Sequence, residues 1–243
     1  MLKAAYLLKV VDELKMDSCL IFVRTKLDAD NLEAFLKSCG QSYSVGTKKF
    51  LQPEYSCAVL HSDRSVRERR KNLQEFKDGS IRFLICTDVA ARGIDVKSLP
   101  FVINYTLPDK PEDYIHRVGR VGRADCMGLA VSLVAAQPER VWYHTCPSKG
   151  KKCVNRNLVS TGGCTIWYNE PQYFAEINHR VGLGVIRPYD PNIAANLYGR
   201  AVTATNGADA HVEELTPAVE YLAKLEQTIQ RSFFRLKACL AQP

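Results

Sequence analysis

The sequence predicts an α/β fold, a parallel sheet flanked by helices, with an irregular C-terminal extension that ends in an amphipathic helix. Three observations carry this. Through about residue 140, short apolar runs alternate with stretches that repeat apolar residues at three and four. The runs are continuously apolar rather than alternating, which is the mark of strands covered on both faces. After residue 140 the pattern lapses into Gly, Pro, Asn and Cys, and helical periodicity returns only near the end.

The elements follow in order. Leu2 to Lys15 has helical apolar spacing, and CLIFV (Cys19 to Val23) is a strand-type run. Leu27 to Lys37 reads as a helix with Gly40 as its stop signal. Ser42 to Ser56 is a polar loop, and CAVLH (Cys57 to His61) is the next buried strand. A helix over Val66 to Lys77 is closed by Gly79. IRFLICT (Ile81 to Thr87) and FVINYTL (Phe101 to Leu107) are rich in branched and aromatic residues, as strands require. Pro111 opens a helix through Tyr114, Ile115 and Val118, and GLAVSLVA (Gly128 to Ala135) supplies one more strand. Such βαβ units are right-handed, and their ligands sit beyond the carboxyl ends of the strands.

Val141 to Asp209 offers only short runs such as CTIWY (Cys164 to Tyr168) and reads as irregular. Thr216 can cap a last helix, Pro217 suits its first position, and Leu222, Leu225, Ile229, Phe233, Leu236 and Leu240 form one face. The domain expectation is therefore 1–140 for the sheet domain and 141–243 for an extension packed on it, with a helix over 217–240.

With 46% hydrophobic and 24% charged residues, 243 residues form an ordinary globular chain. No apolar run approaches the roughly 18 residues of a membrane span, so no membrane partner is expected. The net charge of +7 favours polyanionic partners, and the excess is shared between the first 140 residues and the rest. Nine cysteines, several of them inside apolar runs, suit a reducing compartment.

Three segments carry the chemistry. In HRVGRVGR (His116 to Arg123), Arg117, Arg120 and Arg123 lie three apart with Gly119 and Gly122 between. Like charges at helical spacing repel unless an anion compensates, and guanidiniums suit bidentate phosphate recognition, so this arrangement asks for phosphate. CTDVAARGID (Cys86 to Asp95) follows a strand and projects Thr87, Asp88, Arg92 and Asp95 at its carboxyl end. The run Arg64, Arg67, Arg69, Arg70 and Lys71 falls on the helix after another strand, as a solvated face or a polyanion contact.

Together these segments resemble the second RecA-like domain of DEAD-box ATP-dependent RNA helicases, over about residues 17–136. CLIFVRTK (Cys19 to Lys26) is similar to family motif IV and the His61 to Arg69 stretch to motif IVa. CTDVAARGID is similar to motif V and HRVGRVGR to motif VI. The resemblance implies a RecA-like sheet. It implies Arg120 and Arg123 as arginine fingers on ATP, Asp95 and Gly93 at the nucleotide, and His116 coupling the nucleotide to a facing domain. It also implies RNA-backbone contacts from Thr25, Arg69, Thr87 and Arg92. Motif IVa departs from the family where Val66 stands for a Gln and Ser62 for a Gly, so the resemblance does not imply RNA contacts from those two positions.

There is no G-x-x-x-x-G-K-[ST] loop and no DEAD sequence. VVDEL (Val10 to Leu14) mimics an acidic Walker B box but lies on an amphipathic helix. ATP with magnesium is thus expected to be held mostly by an N-terminal RecA-like half, and this chain alone is expected to neither hydrolyse ATP nor unwind RNA. VWYHTCPSKGKKC (Val141 to Cys153) and GGCTIWYNEPQ (Gly162 to Gln172) are similar to the SPRY-containing branch of the family. That similarity implies RNA and tRNA-splicing-ligase-type complex subunits as partners, and a nuclear and cytoplasmic location. An RNA- or protein-binding scaffold module is the alternative reading. His144, Cys146, Cys153 and Cys164 offer a three-Cys, one-His zinc set. Without a C-x-x-C knuckle they read first as ordinary thiols, and no metal is expected.

Overall fold

The computed structural model describes residues 2–41, 54–92, 96, 99–122, 128–144, 146–147, 153–182 and 186. All lie in the first of two compact units, residues 1–198, the second being 199–243. The expected helix over 217–240 and most of the loop from Ser42 fall outside the described residues.

Among them the order is α1 (Leu2–Glu13), β1 (Cys19–Phe22), α2 (Lys26–Gln41), β2 (Cys57–Leu60), α3 (Val66–Lys77), β3 (Phe83–Cys86), α4 (Asp88–Ala91), β4 (Phe101–Asn104), α5 (Pro111–Val118), β5 (Leu129–Ser132), β6 (Glu139–Trp142), β7 (Thr165–Tyr168) and α6 (Glu170–Val181). A single 3-10 turn covers Val159–Thr161. Strands β1 to β5 form one parallel sheet in the order β2-β3-β1-β4-β5. The central strand sets the register: Cys19 lies opposite both Phe83 and Phe101, and Phe22 opposite Cys86 and Asn104.

Every residue of β1 to β4 is buried, which explains their unbroken apolar sequences. The period of two divides them between two cores. Cys19, Ile21, Phe83, Ile85, Phe101 and Ile103 pack with Leu7, Val10 and Val11 of α1 and Leu32 and Leu36 of α2. Leu20, Phe22, Leu84, Cys86 and Val102 pack with Phe76 of α3 and Ala91 of α4. Each such side chain contributes about 1.5 to 3 kcal/mol by leaving water, so the sheet is the main store of stability. Burial also pushes the Cys57 thiol up to about 12 and those of Cys19 and Cys86 higher still. These three are inert core residues.

Helix α3 starts where its sequence dictates. The Ser65 side chain accepts from the Glu68 N–H and the Glu68 carboxylate accepts from the Ser65 N–H, a reciprocal capping box. Gly79, at φ 71°, follows its end. Helix α2 runs past Gly40, so that glycine is no stop.

The extension is more regular than its composition predicts. Strands β6 and β7 pair antiparallel, Glu139 opposite Tyr168 and Trp142 opposite Thr165. Helix α6 is capped by the Asn169 side chain, which accepts from the Gln172 N–H. It buries Ile177 against Leu107 and Tyr114. Its first residue, Glu170, is wholly buried and accepts from Lys3 Nζ at 2.6 and 2.7 Å, Leu107 N–H at 3.1 Å and Ala135 N–H at 2.6 Å. One carboxylate thereby ties α6 to α1 and to the segments following β4 and β5. Beyond the short run CTIWY, sequence periodicity missed these elements because their apolar residues are few and find cover only once docked.

Candidate functional site

Parallel topology places the sequence-predicted residues at one edge of the sheet. Thr25 follows β1, His61 follows β2 and Thr87 follows β3, each just beyond a carboxyl end. Motif VI continues from α5, whose Pro111 at the first turn and Glu112 and Asp113 beside it suit a helix N-terminus.

Among the described residues, arginine contacts dock motif V on motif VI and on the helix that leads into it. Arg117 donates from Nε and Nη2 to the two carboxylate oxygens of Asp88, at 2.6 and 2.7 Å. Its Nη1 donates to Asn104 Oδ1 at 3.1 Å and to the Thr106 carbonyl at 2.7 Å, and its guanidinium lies 5.0 Å from the Phe22 ring centre. Arg92 pairs with Asp113 at 2.7 Å, and Arg120 Nη2 donates to the Ala91 carbonyl at 3.3 Å. Arg117 is therefore not a phosphate ligand, as its spacing alone suggested. It is 2% exposed and fully engaged as a strut, the anion being Asp88 rather than phosphate.

Beyond the strut the chain turns sharply. Leu99 N–H donates to the Arg120 carbonyl and Gly122 N–H to the Leu99 carbonyl, both at 3.1 Å. Gly122 takes φ 64°, a left-handed conformation open to glycine. Gly128 packs so closely that a Cβ there would stand 2.3 Å from Val121 Cγ1 and 2.7 Å from the Leu99 carbonyl oxygen. Arg120 is half-buried and His116 is exposed on the last turn of α5. Gly93, Asp95 and Arg123 lie outside the described residues.

The expected RNA residues divide. Thr87 is buried at the N-cap of α4 with no capping bond from its hydroxyl, and Arg92 is exposed. Thr25 is committed to capping α2: its hydroxyl donates to Asp28 Oδ2 at 2.6 Å and accepts from the Asp28 N–H at 3.0 Å. The basic run also splits. Arg64 is held by Asp30 at 2.8 Å and Glu33 at 3.2 Å, while Arg67, Arg70 and Lys71 face solvent. Arg69 is half-buried, and its buried Nε has no partner among the described residues. His61 is a packed core histidine, its Nε2 3.1 Å from Asp30 and its Nδ1 accepting from the Asp63 N–H.

Beside Thr25, a cavity of about 440 Å³ is lined by Lys3, Arg24, Asp28, Tyr105, Glu139 and Tyr168, among others. Its mixed charges do not make a phosphate pocket. Arg24 crosses it, donating to the Trp142 carbonyl at 3.3 Å with its guanidinium 5.2 Å from the Tyr168 ring centre. That residue, like Glu170 and the Asp88–Arg117 pair, joins segments far apart in sequence, and no local pattern marks it.

The four extension residues His144, Cys146, Cys153 and Cys164 come together. Their donor atoms all lie within 4.8 Å of one another. The thiols thus form one cluster with an imidazole, in place of the incidental scatter that their spacing suggests.

The helicase conserved C-terminal domain family matches residues 2–125. A ddx1 protein of Dictyostelium discoideum is 49% identical, over 97% of this chain and 31% of its own length. The ATP-dependent RNA helicase DDX1 of Xenopus laevis is 48% identical, over 97% of this chain and 32% of its own. The chain spans about a third of the length of these curated relatives. Among solved structures, a variant of Saccharomyces cerevisiae Dbp5 bound to RNA and ADP BeF3 matches with a TM-score of 0.56 and 25% identity, covering 82% of this chain and 42% of that one.

Proposed function

The chain belongs to the helicase conserved C-terminal domain family, and from that premise we propose that it is the C-terminal RecA-like half of an ATP-dependent RNA helicase that completes an ATP and RNA cleft with a facing N-terminal half. The observation that carries this is the docking of motif V on motif VI. Asp88 fixes Arg117, and Arg117 fixes the helix end beyond which Arg120 follows.

In this reading Arg120 and Arg123 reach the γ-phosphoryl group when the halves close. Rigid guanidiniums there stabilise charge spread over the transferring oxygens, a contribution of about 10³ to 10⁵ in rate. Asp95 and Gly93 lie against the nucleotide, and exposed His116 couples it to the facing half. Arg69, Thr87 and Arg92 hold RNA backbone, so binding is salt-dependent and weak in sequence preference. Thr25 contributes by capping α2, its hydroxyl being engaged by Asp28 rather than by RNA. Closure is biased by nucleotide because only the closed form makes both sets of contacts.

Magnesium would neutralise phosphate charge in the cleft. Among the described residues of this half no carboxylate set suits it: Asp88 is spent on Arg117 and Asp113 on Arg92. In this reading the ion is held mostly by the facing half, as the family resemblance implies. The likeness of the extension to the SPRY-containing branch supports a place in a tRNA-splicing-ligase-type complex, nuclear and cytoplasmic. Trp167 and Tyr143, exposed at 56% and 50%, offer that complex a docking surface.

The test is RNA-stimulated ATPase of this chain alone and joined to an N-terminal half carrying the phosphate loop. The expected result is an inert chain, an active pair, and a loss of about 10³-fold or more in Arg120→Ala and Arg123→Ala. A pair that binds RNA or protein partners but stays inert would replace this reading with a scaffold.

A further inference from the structure

We propose that His144, Cys146, Cys153 and Cys164 form a closed, four-coordinate structural zinc site that fastens the end of the β6–β7 hairpin. The inference rests on the donor set itself and is independent of the helicase reading above.

The chain is folded so that four residues spread over 21 positions converge. Tyr143 N–H donates to the Cys164 carbonyl at 2.8 Å, which lays the segment leaving β6 beside the start of β7. His144 and Cys146 continue from that segment. On the other side, Thr165 N–H donates to the Asn157 carbonyl at 3.0 Å and Gly163 N–H to the Leu158 carbonyl at 2.8 Å, so the stretch from Cys153 doubles back onto Cys164. The doubling needs both glycines. Gly162 takes φ 74°, and a Cβ on Gly163 would lie 1.9 Å from the Asn157 carbonyl oxygen.

The resulting distances are those of a tetrahedral thiolate site. Zn–S bonds of about 2.3 Å at tetrahedral angles put sulfurs about 3.8 Å apart. Cys153 Sγ lies 3.7 Å from Cys146 Sγ and 3.7 Å from Cys164 Sγ. A disulfide needs about 2.05 Å, and three sulfurs around one imidazole leave no complete pairing. The fourth donor is waiting. His144 Nδ1 is buried with no hydrogen-bond partner among the described residues, a costly state that a metal bond relieves. Its ring is fixed by stacking on Trp142, centroids 4.7 Å apart and planes 10° from parallel.

Three soft thiolates and one imidazole in a tetrahedral set select zinc among the common divalent ions, and four protein donors leave no position for substrate. The role is mechanical. Trp142, stacked on the ligand His144, presents the carbonyl that holds Arg24, so the clip steadies the residue that crosses from the end of β1 to the hairpin.

The experiment is metal analysis of the untagged 243-residue chain, purified under reducing conditions without chelator. The expected result is about one zinc per chain, retained in Cys39→Ser and lost in Cys153→Ser and Cys164→Ser. Because those variants can fail to fold, zinc-edge X-ray absorption of the unaltered chain gives a second readout. The expected first shell is three sulfurs at about 2.3 Å and one nitrogen at about 2.0 to 2.1 Å. A chain without zinc, a shell of oxygen and nitrogen alone, iron in place of zinc, or zinc retained in folded Cys153→Ser and Cys164→Ser would each overturn the site.

Discussion

The five-stranded sheet and the extension beyond it are built on different physics. The sheet is held by area: four strands buried on both faces, with side chains alternating between two apolar cores. Among the described residues, the extension from β6 to α6 joins one small apolar cluster around Leu107, Tyr114 and Ile177. It is otherwise held by a few polar connections, among them Glu170, the Tyr168 hydroxyl, Arg24 and the cysteine–histidine cluster. The difference teaches that a segment too poor in apolar residues to make a core can still be ordered, provided each buried polar group finds its partner. Such order is specific but local, whereas the sheet is cooperative.

Substitutions can break or sharpen that contrast. The largest expected effect is in the sheet. Phe83→Ala removes a fully buried ring from the centre of the core and should cost about 4 kcal/mol, read as a fall in the denaturant midpoint of the whole first unit. Loss confined to the extension would contradict the cooperative picture.

Glu170→Ala comes next. It strands the half-buried Lys3 ammonium and two backbone N–H groups, at about 3 kcal/mol. Hydrogen exchange should rise in 139–181 while β1 to β4 keep their protection. Equal loosening of the sheet would show that the two regions unfold as one.

Tyr168→Phe deletes the 2.8 Å hydrogen bond to the Leu107 carbonyl with the ring retained, for about 1 kcal/mol, again read by exchange in the extension. The smallest effect is expected from Ser65→Ala. It opens the capping box of α3 and should cost about 0.5 to 1 kcal/mol of global stability, because α3 packs on the sheet. A larger loss than that of Tyr168→Phe would mean that capping, rather than area, positions α3.

How much of this was legible in the sequence varied with the same physics. Helix α3 was readable to the residue as Val66–Lys77, with Gly79 marking its end. Strands β1 to β4 were readable because double-sided burial writes continuous apolar runs, and β5, where only Val131 is buried, was readable from its apolar run alone. Their ends were overread: Ile81 to Thr87 reduces to Phe83–Cys86, because sheet pairing and not hydrophobicity fixes where a strand stops. Strand β7 showed only as the short run CTIWY, and β6 and α6 were not readable, since ERVW and EPQYFAEINHRV become apolar faces only against partners already in place.

The candidate site divides the same way. The residues of motifs IV to VI are sequence patterns, and parallel topology by itself puts three of the segments at one edge. Which arginine is free to meet a ligand is not in the pattern. Arg117 and Arg120 are alike in spacing, yet one is buried against Asp88, 29 residues earlier, and the other is half-exposed.

By itself, then, the sequence determined the fold class, the element order through β5 apart from the short α4, and, through its motifs, the family. These follow from periodicity and local signals that act over a few residues. The tertiary structure alone decided that Glu170 would anchor α6, that Arg117 would be a strut, and that His144, Cys146, Cys153 and Cys164 would share one small volume. Each of these depends on where distant backbone turns bring unlike groups within a few ångströms, and electrostatics and coordination at that range have no periodicity for a sequence to record.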